Sequence, residues 1–156
     1  MTFKERPLSG EEWVRICVIT RTLPIPKRLD DDGILMVRAV LGILRRLNYP
    51  DIFVVIEEKE KEVLPPENAR QFLEAVRTYQ GHKIGLAIGL TRTLGINLLN
   101  VCQERLGTNK ASFLVEFPPL GKLSADEAME AGLVDRLIPD AELDQFFMDR
   151  NMEHHS

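Results

Sequence analysis

The sequence is poor in the side chains that bind metals or form disulfides. Its 156 residues include two cysteines and three histidines, and two of the histidines, His154 and His155, lie in a polar tail. Cys17 and Cys102 each lie in an apolar segment, where a cysteine is usually a small buried hydrophobic residue. We therefore expect two free thiols, no disulfide and no metal site.

Long apolar runs and an excess of basic residues are also missing. No stretch has the length and purity of a membrane helix, and the first 13 residues contain no apolar run typical of a signal peptide. The net charge of −4 argues against a nucleic-acid partner, because nucleic acids are usually bound by a basic face. The expectation is a cytoplasmic protein with no membrane or nucleic-acid partner.

Phosphate-binding and triad motifs cannot be found either. Gly85, Gly89 and Gly95 match neither the Walker loop nor the dinucleotide-binding spacing. A Ser/His/Asp triad would have to use His82, the one histidine outside the tail, and its place at the start of a predicted strand favours a surface histidine. The sequence thus predicts no cofactor.

Glu116 is the carboxylate whose sequence context suggests chemistry. Most other acidic residues belong to helix faces or to the run EEKEKE at residues 57–62, and such charge runs are usually solvated. Glu116 interrupts an apolar strand end, FLVEFPP, where partial burial would raise its pKa. The alternative is plain strand alternation, with Glu116 on the exposed side of an edge strand.

The sequence does contain a regular alternation of strand and helix patterns, in a length that suits one compact domain. We expect residues 1–150 to form this domain and residues 151–156 to be a disordered tail. Strands that are apolar on both faces and separated by helices predict an α/β fold with a mostly parallel, doubly covered sheet. Strand patterns cover residues 13–20, 51–58, 82–89 and 110–117, and helix patterns cover residues 34–48, 67–80 and 93–107, the last ending at Gly107.

A capped helix that runs into a strand is the best-defined local motif. In LSADEAMEAGLVDRLIP, residues 123–139, Ser124 and Glu127 have the spacing of a capping box. Gly132 suits the helix C-terminus, and residues 133–139 have a strand pattern. A last acidic helix is predicted at residues 140–150.

The same segment resembles an element of the crotonase (enoyl-CoA hydratase/isomerase) family, s-A-e-E-A-x-x-x-G-L-V-d-x-V-x-P-x-x-x-L, and a similar element of the related Clp proteases. Upstream, HKIGLAIGLTRTLGINLLNVCQ and NKASFLVEFPPLG resemble further crotonase segments in the family's order. The resemblance covers residues 30–145 and implies a crotonase/Clp-like spiral of β-strand and helix units. The matched residues are Lys83, Ala87, Gly89, Cys102, Ala111, Phe113, Glu116, Gly121, Ser124, Ala125, Glu127, Ala128, Gly132, Leu133, Val134, Pro139 and Leu143.

The departures from the family pattern fall on the catalytic parts. The crotonase mechanism needs two backbone N–H groups directed at a thioester oxygen, yet the loop EEKEKEVLPP at residues 57–66 has no glycine and many carboxylates. Against the Clp pattern G-x-A-A-S-M-G, Thr93 takes the nucleophile's position, and Gly89 and Gly95 match. No histidine follows until the tail, and a threonine without a base is a poor nucleophile.

The resemblance implies two candidate functions, of which we favour the first. In the first, we expect the chain to be a shortened, catalytically degenerate crotonase/Clp-like domain that acts as a binding or assembly module. Families of this type imply self-association, as a trimer or a multiple of trimers, and a protein partner is a further expectation. A less favoured reading, a STAS-like regulatory module, lacks the hydroxyl residue it would need in EVLPPENARQ at residues 62–71.

The second candidate is an acyl-thioester hydratase or isomerase. Glu116 would be its general acid/base, and the turn at residues 89–95 would supply one oxyanion donor. The helix start after Gly89 could hold a phosphate of a coenzyme A thioester, through Thr91, Arg92 and Thr93. The alternative for these three residues is an ordinary helix start with a solvated arginine.

Overall fold

The computed structural model describes residues 9–49, 51–59, 65–116 and 121–153. Its main sheet has five strands in the order β1-β2-β3-β5-β8, and every neighbouring pair is parallel. These strands are β1 (Thr22–Pro24), β2 (Asp51–Ile56), β3 (His82–Ala87), β5 (Glu104–Thr108) and β8 (Arg136–Ile138). The predicted α/β fold with a mostly parallel sheet is confirmed.

A second, smaller sheet adjoins the main one. Its order is β4-β6-β7, with β4 parallel to β6 and β6 antiparallel to β7. The strands are β4 (Leu90–Thr91), β6 (Ser112–Val115) and β7 (Gly121–Ser124).

Helices cover both faces of the main sheet. The helices are α1 (Gly10–Thr20), α2 (Asp31–Arg46), α3 (Pro66–Thr78), α4 (Thr93–Asn100), α5 (Ala125–Glu130) and α6 (Leu143–Glu153). Alternate β2 residues face opposite ways: Val54 belongs to the core that α1 to α4 share, whereas Phe53 belongs to a second cluster. That cluster includes Phe147 of α6, whose ring lies 4.9 Å from the Phe53 ring. A STAS-like domain, with one mixed sheet and helices on one face, does not fit this arrangement.

The segment predicted as a first strand, residues 13–20, is helical, so that prediction was wrong. Helix α1 begins after Ser9, whose side chain accepts the Glu12 N–H while the Glu12 carboxylate accepts the Ser9 N–H. This capping box fixes a helix start, and Cys17 is then buried on the inner face. The β-branched residues that suggested a strand are tolerated in a helix because tertiary packing outweighs their weak propensity.

The predicted helix at residues 93–107 was too long. Helix α4 ends at Asn100, and Gly107 lies in β5, between β3 and β8. The pairing partners of β5 are distant in sequence, which explains why a local helix pattern misassigned it. The last helix extends to Glu153, so residues 151–153 of the predicted tail are helical, and residues 154–156 lie outside the described part.

The capped helix of residues 123–139 is confirmed. Ser124 and Glu127 form both hydrogen bonds of the capping box. Gly132 has a φ of 81°, a conformation that glycine adopts without steric cost. In the described residues no helix is long and apolar enough to span a membrane.

Candidate functional site

The candidate site lies beyond the carboxyl ends of β2 and β3, where parallel sheets commonly bind ligands. Glu57 and Glu58 follow β2, β4 follows β3, and α4 starts two residues after β4 ends. The Glu58 N–H donates to the Leu90 carbonyl at 2.7 Å, which holds the acidic loop against β4. Residues 60–64 of this loop lie outside the described residues.

The side chain of Glu58 caps helix α4 from a distant part of the chain. Its Oε1 accepts the backbone N–H groups of Arg92 and Gly95, each at 2.7 Å. Arg92, the N-cap residue of α4, makes no capping bond with its own side chain. A carboxylate at this position satisfies two otherwise unpaired donors and complements the positive end of the helix dipole.

Burial raises the pKa of Glu58, and the hydrogen bonds from Arg92 and Gly95 act in the opposite direction.

Two glycines lie where the acidic loop leaves no room for a side chain. A Cβ at Gly95 would lie 2.5 Å from Glu58 Oε1 and 2.6 Å from Ile56 Cγ2. A Cβ at Gly89 would lie 2.5 Å from Glu57 Oε2. Both glycines therefore allow the acidic loop to approach closely.

Arg92 and Thr93 both bind Glu116. Arg92 Nε donates to Glu116 Oε1 at 2.9 Å, and Thr93 Oγ1 donates to Glu116 Oε2 at 2.7 Å. Arg92 Nη1 also donates to the Lys59 carbonyl at 2.9 Å. The arginine is therefore not simply solvated; it joins the acidic loop to the end of β6.

Of the two sequence interpretations of Glu116, partial burial with a raised pKa was wrong, and the alternative of an exposed side chain is confirmed, although β6 is the central strand of its sheet. Glu116 is exposed, and the hydrogen bonds from Thr93 and then Arg92 hold the pKa of its carboxyl below the ordinary value. These donors stabilise the charged form, and little desolvation opposes them.

Most of the predicted site residues are brought together, but Thr91 is not, and His82, which the sequence did not favour as a site residue, is also distant. Thr91 is fully buried in β4, so it does not join Arg92 and Thr93 in a common anion site. His82 begins β3, whereas Thr93 lies beyond the carboxyl end of that strand. The His82 Nε2 is instead 2.7 Å from Glu104 Oε2.

Sequence reasoning missed Glu58, because the run EEKEKE was interpreted as solvated. The start of α4 contained a signal that could have indicated such a residue. Its N-cap residue is an arginine, which cannot accept the helix N–H groups, so an acceptor from elsewhere was required. The loop after the neighbouring parallel strand was the place to look for one.

Two cavities meet at this site. One, of about 500 Å³, extends toward Ile25 and Leu90, and the other, of about 420 Å³, extends toward Leu94. Glu58 and Arg92 line both cavities, so this pair of residues forms their shared wall.

Cys17 and Cys102 are both free cysteines, Cys17 buried and Cys102 partly buried. No group of three or more His, Cys, Asp or Glu side chains within the described ranges is placed to hold a metal ion.

Comparisons with known proteins identify the fold. A ClpP1 mutant from Listeria monocytogenes superposes with a TM-score of 0.68 at 13% sequence identity, covering 82% of this chain and 96% of that chain. ClpP1 from the same organism superposes with a TM-score of 0.66 at 14% identity and the same coverage. No protein-family model matches the sequence, and no curated protein sequence matches it. The chain therefore has a ClpP-like fold.

Proposed function

We propose that this chain is a catalytically inactive domain of Clp-like fold that acts as a binding or assembly module. The observation that carries the proposal is the bond pair from Arg92 and Gly95 to the Glu58 carboxylate. Acyl transfer at Thr93, or enolate formation on a thioester, needs free N–H groups at the start of α4 to stabilise an oxyanion. Those groups are already occupied by a carboxylate of the chain itself.

The negative charge of Glu58 opposes catalysis, in addition to the effect of its position. Two negative charges about 4 Å apart repel by about 4 kcal/mol at an effective dielectric constant of 20. An increase of that size in an activation barrier slows a reaction by about a thousandfold. An oxyanion at the start of α4 would meet this repulsion.

Thr93 also lacks an effective base. Its hydroxyl donates to Glu116, but the pKa of that carboxyl is lowered by Thr93 and Arg92. A general base works best when its pKa lies near the operating pH, so Glu116 is a weak proton acceptor. His82 is bonded to Glu104 at the other end of β3.

The same geometry gives less support to the second candidate function, an acyl-thioester hydratase or isomerase, than to an inactive domain. A Glu116 carboxyl that is held in its charged form is a poor general acid, and the Gly95 N–H is engaged by Glu58. Arg92 is bonded to Glu116 and to the Lys59 carbonyl, so binding a coenzyme A phosphate would have to replace existing bonds.

Turnover assays with fluorogenic peptides and a panel of acyl-CoA thioesters test the proposal. Wild type, Thr93→Ala and Glu116→Gln are expected to give the same background rate. Glu130→Gln, an exposed glutamate on α5, serves as the matched control. Turnover by wild type that is retained in Glu130→Gln and lost in Thr93→Ala or Glu116→Gln would overturn the catalytic half of the proposal.

A further inference from the structure

The outer face of α2 carries an apolar patch between two opposite charges. The patch consists of Asp32, Leu35, Ala39, Ile43 and Arg46, all of which are exposed. Leu35 is 61% exposed and Ile43 is 36% exposed, although both are large apolar side chains. We call these five residues the α2 face.

The α2 face is distinct from the buried side of the same helix. Val37, Val40 and Leu44 are 0% exposed and belong to the main core. They already supply the apolar stripe that packs α2 onto the sheet. Leu35 and Ile43 are therefore additional to the residues that the fold requires.

The α2 face is symmetric about its centre. Leu35 and Ile43 lie four residues on either side of Ala39, and Asp32 and Arg46 lie seven residues on either side. At 100° per residue all five positions fall within an arc of about 80°. Along the helix the face has an acidic residue at one end, three apolar residues in the middle and a basic residue at the other end. When two such faces meet antiparallel, each acidic residue therefore lies opposite a basic residue.

We propose that the α2 face is an isologous contact with a second copy of this chain, in which two α2 helices pack antiparallel and cross at Ala39. In an isologous contact residue i meets residue j and j meets i. Leu35 of each copy then packs against Ile43 of the other, and Asp32 of each copy pairs with Arg46 of the other.

Small residues at the centre allow the two helices to approach closely. Ala39 has a single methyl group, and a Cβ at the neighbouring Gly42 would meet nothing within 4 Å. Helices that pack through such positions reach axial separations of about 8 Å. Within the part of the chain that the structure describes, neither Asp32 nor Arg46 has an ion-pair partner. Both charges are therefore available for the second copy.

Helix-dipole stabilisation explains part of the pattern but not all of it. An acid in the first turn and a base in the last turn favour any isolated helix. The dipole gives no reason for Leu35 and Ile43 to be exposed on the same arc as these charges. An unrelated partner would not require equal spacing on both sides of Ala39, whereas a second copy does.

This inference rests on the assembly half of the proposed function and names the surface that it uses. An isologous contact joins chains in pairs. It therefore predicts a dimer, or, if trimers form through another surface, an assembly with an even number of trimers.

Charge exchange on the full chain tests the contact by sedimentation velocity over a range of concentrations. Asp32→Arg and Arg46→Asp each place like charges across the contact, and each is expected to weaken association at least about tenfold. The double variant restores opposite charges and is expected to associate within a fewfold of wild type. The double variant also opposes the helix dipole at both ends, so recovered association cannot come from a more stable helix. Circular dichroism melting checks that each variant is folded.

Disulfide trapping supplies a second readout. Ala39→Cys is expected to form a cross-linked dimer under mild oxidation, because the two copies meet at this residue. Ala141→Cys, exposed near α6, is the control and is expected to form no cross-link, although its α2 face still associates. A wild type that stays monomeric at high concentration would overturn this contact and the assembly half of the proposed function together. An oligomer that is unaffected by either single exchange and not trapped through Ala39→Cys would overturn the contact alone.

Discussion

Glu58 Oε1 lies 2.7 Å from the backbone nitrogen of Gly95, 37 residues further along the chain. This bond joins the loop after β2 to the first turn of α4. The less favoured of the two candidate functions placed one oxyanion donor at that junction, in the turn at residues 89–95. The internal carboxylate stabilises the helix start, and it also removes the donors that chemistry would need.

Glu58→Ala is predicted to destabilise the fold. It leaves the N–H groups of Arg92 and Gly95 without their acceptor, and losing a capping bond costs about 0.5–2 kcal/mol. Urea unfolding at pH 7 measures the change in the free energy of unfolding. Glu130→Gln is the matched control and is expected to stay within about 0.5 kcal/mol of wild type. Equal stability of Glu58→Ala and wild type would contradict the capping role.

Gly95→Ala is predicted to destabilise the protein by about 1–3 kcal/mol, the usual cost of overpacking. The added Cβ would lie 2.6 Å or less from Ile56 and Glu58 atoms. Gly42→Ala adds the same methyl group to α2 where nothing in the same chain lies within 4 Å. At a concentration where the chain is monomeric it should stabilise the helix by about 0.5–1 kcal/mol. Thermal unfolding of the two variants compares them directly, and similar effects of the two substitutions would be inconsistent with close packing at Gly95.

The contribution of Glu116 to stability is predicted to fall in acid. Its folded-state pKa is lowered by Thr93 and Arg92, so the contribution is fully present above the unfolded-state pKa of about 4.3. It is lost as the pH falls through the lower folded-state pKa. The difference in unfolding free energy between wild type and Glu116→Gln should therefore shrink as the pH is lowered from 7 to 3. A difference that grows in acid would contradict the bonds to Thr93 and Arg92.

Glu58 is predicted to show the opposite pH dependence. Burial raises its folded-state pKa, so its contribution is fully present below the unfolded-state value of about 4.3 and declines as the pH rises through the folded-state value. The unfolding free energy of wild type minus that of Glu58→Gln should therefore increase as the pH is lowered from 7 to 4. The difference in unfolding free energy between wild type and each variant, Glu58→Gln or Glu116→Gln, should therefore change with pH in opposite directions. If both differences changed in the same direction, the two carboxyl groups would not differ in environment.

The sequence predicted those elements whose signals are local. The apolar runs that became β2 and β3 and the capping box of Ser124 and Glu127 each act within a few residues, and the structure confirms them. Residues 13–20 were misassigned because only their β-branched content was considered, and the capping-box spacing of Ser9 and Glu12 was overlooked. That second box has the same form as the one at Ser124, so the signal was present.

Contacts between distant segments could not be predicted in the same way. Strand β5 is defined by pairing with β3 and β8, and neither pairing can be deduced from the residues of β5. The candidate site shows the same division. Thr93 was identified from the resemblance, Glu116 from its place at an apolar strand end and Arg92 from a helix start. Their mutual bonds and the role of Glu58 depend on how three loops meet.

The Gly95 amide provides the most direct test of whether Glu58 occupies the donors of the candidate site. In a two-dimensional ¹H–¹⁵N spectrum, the Gly95 signal is predicted to move strongly in Glu58→Gln and to follow the titration of Glu58 in wild type. It should not move when a peptide or an acyl-CoA thioester is added to wild type. A saturable shift of the wild-type Gly95 signal with either ligand, together with no change in Glu58→Gln, would contradict the occupation of this site by Glu58.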